Sequence, residues 1–260
     1  MLDELAIKTA VIDQLYLTGS LDDAVLINEM VVANWSRRTD LTVVNGKLHA
    51  FEIKSDFDNL NRLQGQVSTY LSRFDKVTVV TTTKFLSAVK DSLPPNVELW
   101  EVTELDSEKY IRIVKRGKTQ LITNKRILCG FLHKPELVAF LKQNNIISST
   151  ETSRENLISQ CESLSSYKLR QFVLCSLKHR YKDTFKQFQA KRIDKTKVDD
   201  LYALSKKSLL KKEYKENNII NISNSAPQKN IRFLDMHLLE LKYGIQADSI
   251  QKTVLLRKVS

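Results

Sequence analysis

Over the first 110 residues the apolar positions switch between a spacing of three to four and a spacing of two. Leu5, Val11, Ile12 and Leu15 predict an amphipathic helix over 2–17, with acidic residues in its first turn and a stop near Gly19. Residues 24–35 predict a second helix. The period then falls to two at Leu41, Val43 and Val44, meets Asn45-Gly46, and continues as Leu48-His49-Ala50-Phe51-Glu52-Ile53-Lys54. Asn-Gly between two β-prone runs predicts a hairpin, because both residues tolerate positive φ. Helical spacing returns over 59–74, with Leu60, Leu63, Val67 and Leu71 on one face and Asp58 as the expected cap. Residues 76–82 (KVTVVTT) predict a buried strand, 85–93 a short helix closed by Pro94-Pro95, and 97–102 another strand. An edge strand is expected at 110–114, with Arg116-Gly117-Lys118 behind it. The order α-α-β-β-α-β-α-β describes a mixed α/β sheet flanked by helices.

Beyond about residue 125 the strand pattern stops. Helices are expected over 135–142, 154–164, 167–189, 199–216 and 231–241, many with a Lys-rich face, and 217–229 (NNIINISNSAPQK) is the expected linker. No internal repeat of useful period occurs. The predicted organisation is therefore an α/β part over 1–124 followed by a basic all-helical region over 125–260.

Charge separates the same two parts. Residues 1–110 hold 11 Lys and Arg against 17 Asp and Glu, a balance of −6, while 111–260 hold 30 against 13, a balance of +17. A basic half of this size suits a polyanion, whose condensed counterions are released when Lys and Arg neutralise its phosphates. With 42% hydrophobic residues the 260-residue chain can build a core, yet no apolar run approaches the roughly 18 residues of a membrane span. The first fifteen residues are acidic where a secretory leader would be basic. Cys129, Cys161 and Cys175 lie far apart without CxxC spacing, so neither a disulfide framework nor a zinc site is expected and a reducing cytoplasm is the expected setting. The three cysteines are read as packing residues, Trp35 and Trp100 as core or core-edge aromatics, and His49, His133, His179 and His237 as scattered residues rather than ligands. The pairs Lys206-Lys207 and Lys211-Lys212 are read as solvated helix faces. Phosphate-binding glycine loops and the G-x-S-x-G elbow are absent from the sequence.

Candidate chemistry concentrates in the hairpin. Asp40 opens one strand, and Glu52-Ile53-Lys54 follows eleven residues later on its neighbour. A short hairpin brings these together, and side chains two apart on a strand share a face. Two carboxylates, Asp40 and Glu52, with the backbone carbonyl of Ile53 describe a hard oxygen site for Mg²⁺ or Mn²⁺. Such an ion stabilises charge on phosphoryl oxygens and activates a water, while Lys54 can orient that nucleophile. Glu29, expected on the preceding helix, is a further carboxylate for the site or for a second ion.

The string RRTDLTVVNGKLHAFEIKS resembles the core of the PD-(D/E)XK nuclease superfamily, with Thr39 where that motif often has Pro. On the next helix Gln66-Val-Ser-Thr-Tyr70 has the Q-x-x-x-Y form of its RecB-like branch, and its stripe also carries Arg62 and Arg73 or Phe74. Over about residues 20–105, FEIKSDFDNLNRLQGQVSTYLSRFDKVTVV is similar to the bacterial sce-type PD-(D/E)XK family, related to MmcB-type DNA repair nucleases. The resemblance implies a restriction-endonuclease-like mixed sheet and an active-site set of Glu29, Asp40, Glu52, Lys54, Gln66 and Tyr70. It also implies a role in DNA repair or in defence against foreign DNA.

In the basic half, HKPELVAFLKQNNIISSTETSRENLISQCESL, about 133–164, resembles a SAP-like DNA-binding helical hairpin without the usual Gly near Asn144-Asn145. Leu137, Phe140, Leu141, Ile146, Leu157 and Ile158 would form its core, and Lys142 and Arg154 would meet phosphates. The long helix after it, with Lys168, Arg170, Lys178, His179, Arg180, Lys182 and Lys186, could lie along a nucleic-acid backbone. The expected function is that of a metal-dependent deoxyribonuclease with Mg²⁺ or Mn²⁺ as cofactor and DNA as partner, held by Arg62, Arg73, Lys142, Arg154, Lys178 and Arg180. A non-catalytic nucleic-acid-binding or adaptor protein on the same scaffold is the alternative. RNA stays open as a substrate, since nothing in the pattern reports a 2′-hydroxyl. A second copy or another protein stays open as a partner, and a membrane is not expected.

Overall fold

The computed structural model describes residues 1–32, 36–205, 231–233 and 253–255. The chain divides into two compact units, Met1–Lys212 and Glu213–Ser260.

A six-stranded mixed sheet forms the centre of the first unit. Its strands are β1 (Val25–Asn28), β4 (Leu41–Val44), β5 (Leu48–Lys54), β6 (Lys76–Thr82), β7 (Glu98–Leu105) and β8 (Glu108–Lys115), in that spatial order. β5, β6 and β7 run parallel, and the remaining pairs are antiparallel. Two short strands, β2 (Val31–Val32) and β3 (Arg37–Arg38), make a separate ribbon. The parallel steps need crossovers, supplied by α2 (Leu63–Leu71) and by a 3₁₀ turn leading into α3 (Leu86–Ser92). Every residue of β5 is buried, as a central strand covered on both faces requires.

α1 (Glu4–Leu17) starts at Asp3, whose carboxylate accepts the Ala6 N–H at 2.7 Å, and lies against β5 and β8. The helix expected over 24–35 does not form. Val25, Leu26 and Ile27 are buried in β1, where they pair with β4, and Glu29 interrupts the chain at φ 56° before β2. A run of β-branched residues with a long-range sheet partner overrides a spacing that also fits a helix. Helix α2 is shorter than the expected 59–74. Asp58 does not cap it but accepts from the backbone and side chain of Ser55 in the preceding turn. The hairpin connection takes three residues, since Val44 pairs with Leu48, and only Gly46 enters the left-handed region, at φ 88°. The edge strand expected at 110–114 is present as β8.

The helices that follow are α4 (Lys125–Cys129), α5 (Lys134–Gln143), α6 (Arg154–Glu162), α7 (Ser166–Lys191) and α8 (Val198–Leu201), the last running into a 3₁₀ turn at Tyr202–Leu204. They pack on the sheet within the first unit. Arg170 of α7 places its guanidinium 2.9 and 2.7 Å from the two oxygens of buried Asp75, which also accepts from the Leu48 and Ile122 N–H groups. Phe74 meets Phe131 edge to face at 5.6 Å. Asp13 of α1 accepts from Arg192 and from both the backbone and hydroxyl of Thr196, tying down the end of α7. Cys129 and Cys161 are buried as expected, whereas Cys175 is exposed and is not a packing residue.

In the second unit, β9 (Ile231–Phe233) and β10 (Thr253–Leu255) pair antiparallel. The region beyond 125 is therefore not helical throughout, and the helix expected from 231 does not start there, in keeping with the β-branched and aromatic content of both segments. Trp35, His237, the Lys206-Lys207 and Lys211-Lys212 pairs, the linker at 217–229 and most of the last two expected helices lie outside the described residues.

Candidate functional site

The hairpin register decides the geometry. Leu41 pairs with Phe51, so Asp40, one step further, comes opposite Glu52. The Asp40 carboxylate accepts the Ile53 N–H at 2.6 Å. Glu52 and Lys54 share a face of β5, as residues two apart must, with Lys54 Nζ 2.8 Å from Glu52 Oε1. From α2, Gln66 Oε1 accepts from Lys54 Nζ at 3.1 Å. The Tyr70 hydroxyl lies 2.9 Å from Glu52 Oε2 and 2.7 Å from the Arg38 carbonyl. Gln66 and Tyr70, one helical turn apart, thus face the E-x-K strand together. Glu52, Lys54 and Tyr70 are all buried.

Burial sets the electrostatics. Loss of solvent, and then the neighbouring Glu52 carboxylate, push Asp40 up to about 7. Glu52 is also raised by burial, with Lys54 pulling it back. The Tyr70 phenol is raised by burial and by Glu52, so it stays a neutral donor. A buried carboxylate, Glu52, and a half-buried one, Asp40, that oppose each other's charge form a donor set suited to a hard divalent cation, and in that respect Asp40 and Glu52 fit Mg²⁺ or Mn²⁺. Among the described residues no group of three His, Cys, Asp or Glu side chains is gathered for a metal. The third carboxylate is held elsewhere. Glu29 sits at the β1–β2 junction rather than on a helix, bound to Arg38 at 3.0 Å and to Lys8 at 3.7 Å.

The basic residues named from the sequence divide. Arg62 is exposed at the start of α2 and Lys142 is exposed at the end of α5. Arg73 and Arg154, with Arg126, line a cleft of about 570 Å³ whose walls include Val32, Ile127 and Phe131. Arg126 pairs there with Glu155, and Arg154 donates to the Cys129 carbonyl at 3.1 Å. Lys178 pairs with exposed Asp23 at 2.8 Å and borders a second cleft of about 750 Å³ with His179, Lys182 and Lys186. Arg180 is engaged internally, by Glu136 and by the Phe131 carbonyl at 3.0 Å. Arg170 is the buried partner of Asp75.

Sequence reasoning missed three residues at the site. Lys8 of α1 is buried and pairs with Glu4 at 2.7 Å, and Arg38 supplies both a carbonyl to Tyr70 and a guanidinium to Glu29. For Glu4 and Lys8 the signal was their i,i+4 spacing inside the apolar helix ELAIKTAVIDQL, which marks a charged pair on a face with little water; Arg38 carried no such local signal.

A family model described as Bacteriophage P4 protein cII matches residues 1–205. The chain belongs to that family. Protein cII of Enterobacteria phage P4 is 39% identical over 269 residues, spanning 100% of this chain and 98% of the relative. Among solved structures, a protein of unknown function from Silicibacter pomeroyi matches at 21% identity with a TM-score of 0.33, over 44% of this chain and 70% of its own. The region that matches the cII model takes in the sheet, α1–α8 and all the site residues above. No helix among the described residues is long and apolar enough to cross a membrane.

Proposed function

We propose that this cII-family chain is a metal-dependent nuclease that hydrolyses DNA phosphodiester bonds on a PD-(D/E)XK-like fold. The observation that carries the reading is the hydrogen-bonded chain from Gln66 through Lys54 and Glu52 to Tyr70, with Asp40 alongside. An amide, an ammonium, two carboxylates and a phenol from one hairpin and one helix have few other uses in so buried a place, since desolvated charges are costly unless they serve a purpose.

Asp40 and Glu52 would hold the ion. When bound, a divalent cation there lowers the pKa of its water and withdraws charge from the phosphoryl oxygens. Lys54, fixed between Glu52 and Gln66, orients the attacking water and offers its positive charge to the developing phosphorane. Tyr70 fixes the rotamer of Glu52. The basic residues of the cleft lined by Arg73, Arg126 and Arg154 hold the DNA backbone, and the α5–α6 pair, with Leu137, Phe140, Leu141, Leu157 and Ile158 buried, supports the SAP-like reading of that part.

The test is cleavage of labelled single-stranded DNA, double-stranded DNA and RNA with Mg²⁺, Mn²⁺ or EDTA, comparing wild type with Glu52→Ala and Lys54→Ala. Metal-dependent cleavage that both substitutions abolish, with DNA affinity largely kept in Lys54→Ala, is the expected result. Binding of DNA without cleavage under any metal would overturn the catalytic reading in favour of an adaptor.

A further inference from the structure

Lys8 is the one feature at the site that the nuclease reading leaves without a task. A lysine this deeply buried needs compensation, and its partners are all acids of the site's rim. Its Nζ lies 2.7 Å from Glu4 and 3.7 Å from Glu29, and its charge offsets that of Asp40. The backbone reinforces the arrangement. Glu29 is a non-glycine residue held at φ 56°, a left-handed conformation that L side chains adopt only where the surroundings impose it, and its N–H donates to the Asp40 carbonyl at 3.1 Å. Arg38 then holds the outer oxygen of the same carboxylate at 3.0 Å.

Nuclease chemistry can be assisted by two cations placed on either side of a shared carboxylate. Here Asp40 lies opposite Glu52 across the hairpin, its carbonyl is bound by the Glu29 N–H, and its carboxylate feels the charges of Glu4 and Lys8, with the Lys8 ammonium set between Glu4 and Glu29. We propose that Lys8 stands in for a second metal ion, so that the site takes a single divalent cation, at Asp40 and Glu52. A built-in ammonium needs no uptake from solution, balances Glu4 and Glu29 together with Arg38, and repels a second dication from the space beside Asp40. Lys8 is on this account a positioning residue, acting through Asp40 and Glu29 rather than on the phosphodiester.

The inference rests on the metal-dependent reading above, and the stoichiometry of Mn²⁺ separates the two. Titration of the full chain with Mn²⁺, followed by calorimetry and by the electron paramagnetic resonance of free Mn²⁺, should give one ion in the class that Asp40→Asn abolishes. Lys8→Met should raise that number to two, Lys8→Met combined with Glu29→Gln should restore one, and Lys8→Arg should keep one. Two ions in the wild type would overturn the inference and leave the nuclease reading intact. One ion in a folded Lys8→Met would also overturn it. No ion in the wild type would overturn the metal-dependent reading and this inference with it. If Lys8→Met folds only when Mn²⁺ is present, two bound ions in that folded form support the inference and one overturns it.

Discussion

The Tyr70 hydroxyl sits 2.9 Å from Glu52 Oε2, joining a helix to a strand across eighteen residues of sequence at a point with no exposure to solvent. The contact settles how Glu52 points. One carboxylate oxygen is taken by the phenol and the other by Lys54, so rotation of Glu52 would break two charge-assisted bonds at once. Tyr70→Phe keeps the ring, including its edge contact with Phe74 at 6.0 Å, and removes only the donor. The Arg38 carbonyl and Glu52 then share an unmet acceptor, at a cost of about 1 to 3 kcal/mol in stability. Loss of orientation at Glu52 should lower cleavage about 10- to 100-fold, the usual effect of removing a group that orients a ligand. Urea unfolding and single-turnover cleavage check the two halves, and an unchanged cleavage rate would remove Tyr70 from the site.

Asp40 makes stability depend on pH in an unusual sense. Its carboxyl is pushed up to about 7 from an ordinary value of 3.8. Between those limits the folded chain holds a proton that the unfolded chain has released, so stability must fall as pH rises through the window and level off above it. Asp40→Asn retains an acceptor for the Ile53 N–H and removes the titration. In EDTA the melting temperature of the wild type minus that of Asp40→Asn should therefore decline between about pH 4 and pH 7. Mg²⁺ or Mn²⁺ should recover the difference above pH 7 in the wild type alone. A flat difference would mean that Asp40 is not desolvated beside Glu52 as described.

Much of this site was legible in the sequence because its signals are local. The Asn45-Gly46 turn, the E-x-K spacing on one strand face and the Gln66 to Tyr70 interval on one helix face each follow from the geometry of a single element, and the structure brings those residues together. Residues 24–35 were not legible, because Val25 to Ile27 become a strand only through pairing with β4, and a spacing that suits a helix does not reveal a distant partner. Lys8 was hidden for a related reason. Its burial depends on Glu29, which forms the bend between β1 and β2 twenty-one residues later, and on Glu4. Likewise Arg170 and Arg180 read as phosphate-facing cations on a basic helix, yet their acids come from β6's leading turn and from α5. Charge counting along one helix cannot see counter-charges that the fold brings from elsewhere.

Arg170 and Asp75 should then behave as a structural pair. The Arg170 side chain is 9% exposed and that of Asp75 0%, so Arg170→Ala leaves a buried carboxylate without its counter-ion, at about 3 to 5 kcal/mol. Asp75 also receives the Leu48 and Ile122 N–H groups, so Asp75→Ala should cost at least as much. Because the pair joins α7 to the start of β6, both substitutions should lower the denaturation midpoint of the sheet and helices together. A separate early transition for the helices alone would show that they fold independently of the sheet.

The salt dependence of DNA binding separates arginines that meet phosphate from arginines that hold the fold. Arg154 is exposed at the start of α6 and lines the same cleft as Arg73 and Arg126. Arg180 has its guanidinium occupied by the Glu136 carboxylate and the Phe131 carbonyl. Each phosphate neutralised contributes about −0.9 to the slope of log K against log salt for duplex DNA. Arg154→Ala should therefore make that slope less negative by about one phosphate's worth, weaken binding similarly for unrelated sequences, and leave the melting temperature nearly unchanged. Arg180→Ala should do the reverse, lowering the melting temperature through the unpaired Glu136 while the slope stays as in the wild type. Fluorescence anisotropy over a salt series, with thermal melts of the same preparations, distinguishes the two. If Arg180→Ala changes the slope and Arg154→Ala does not, the nucleic acid lies along α7 and not in the cleft lined by Arg73, Arg126 and Arg154.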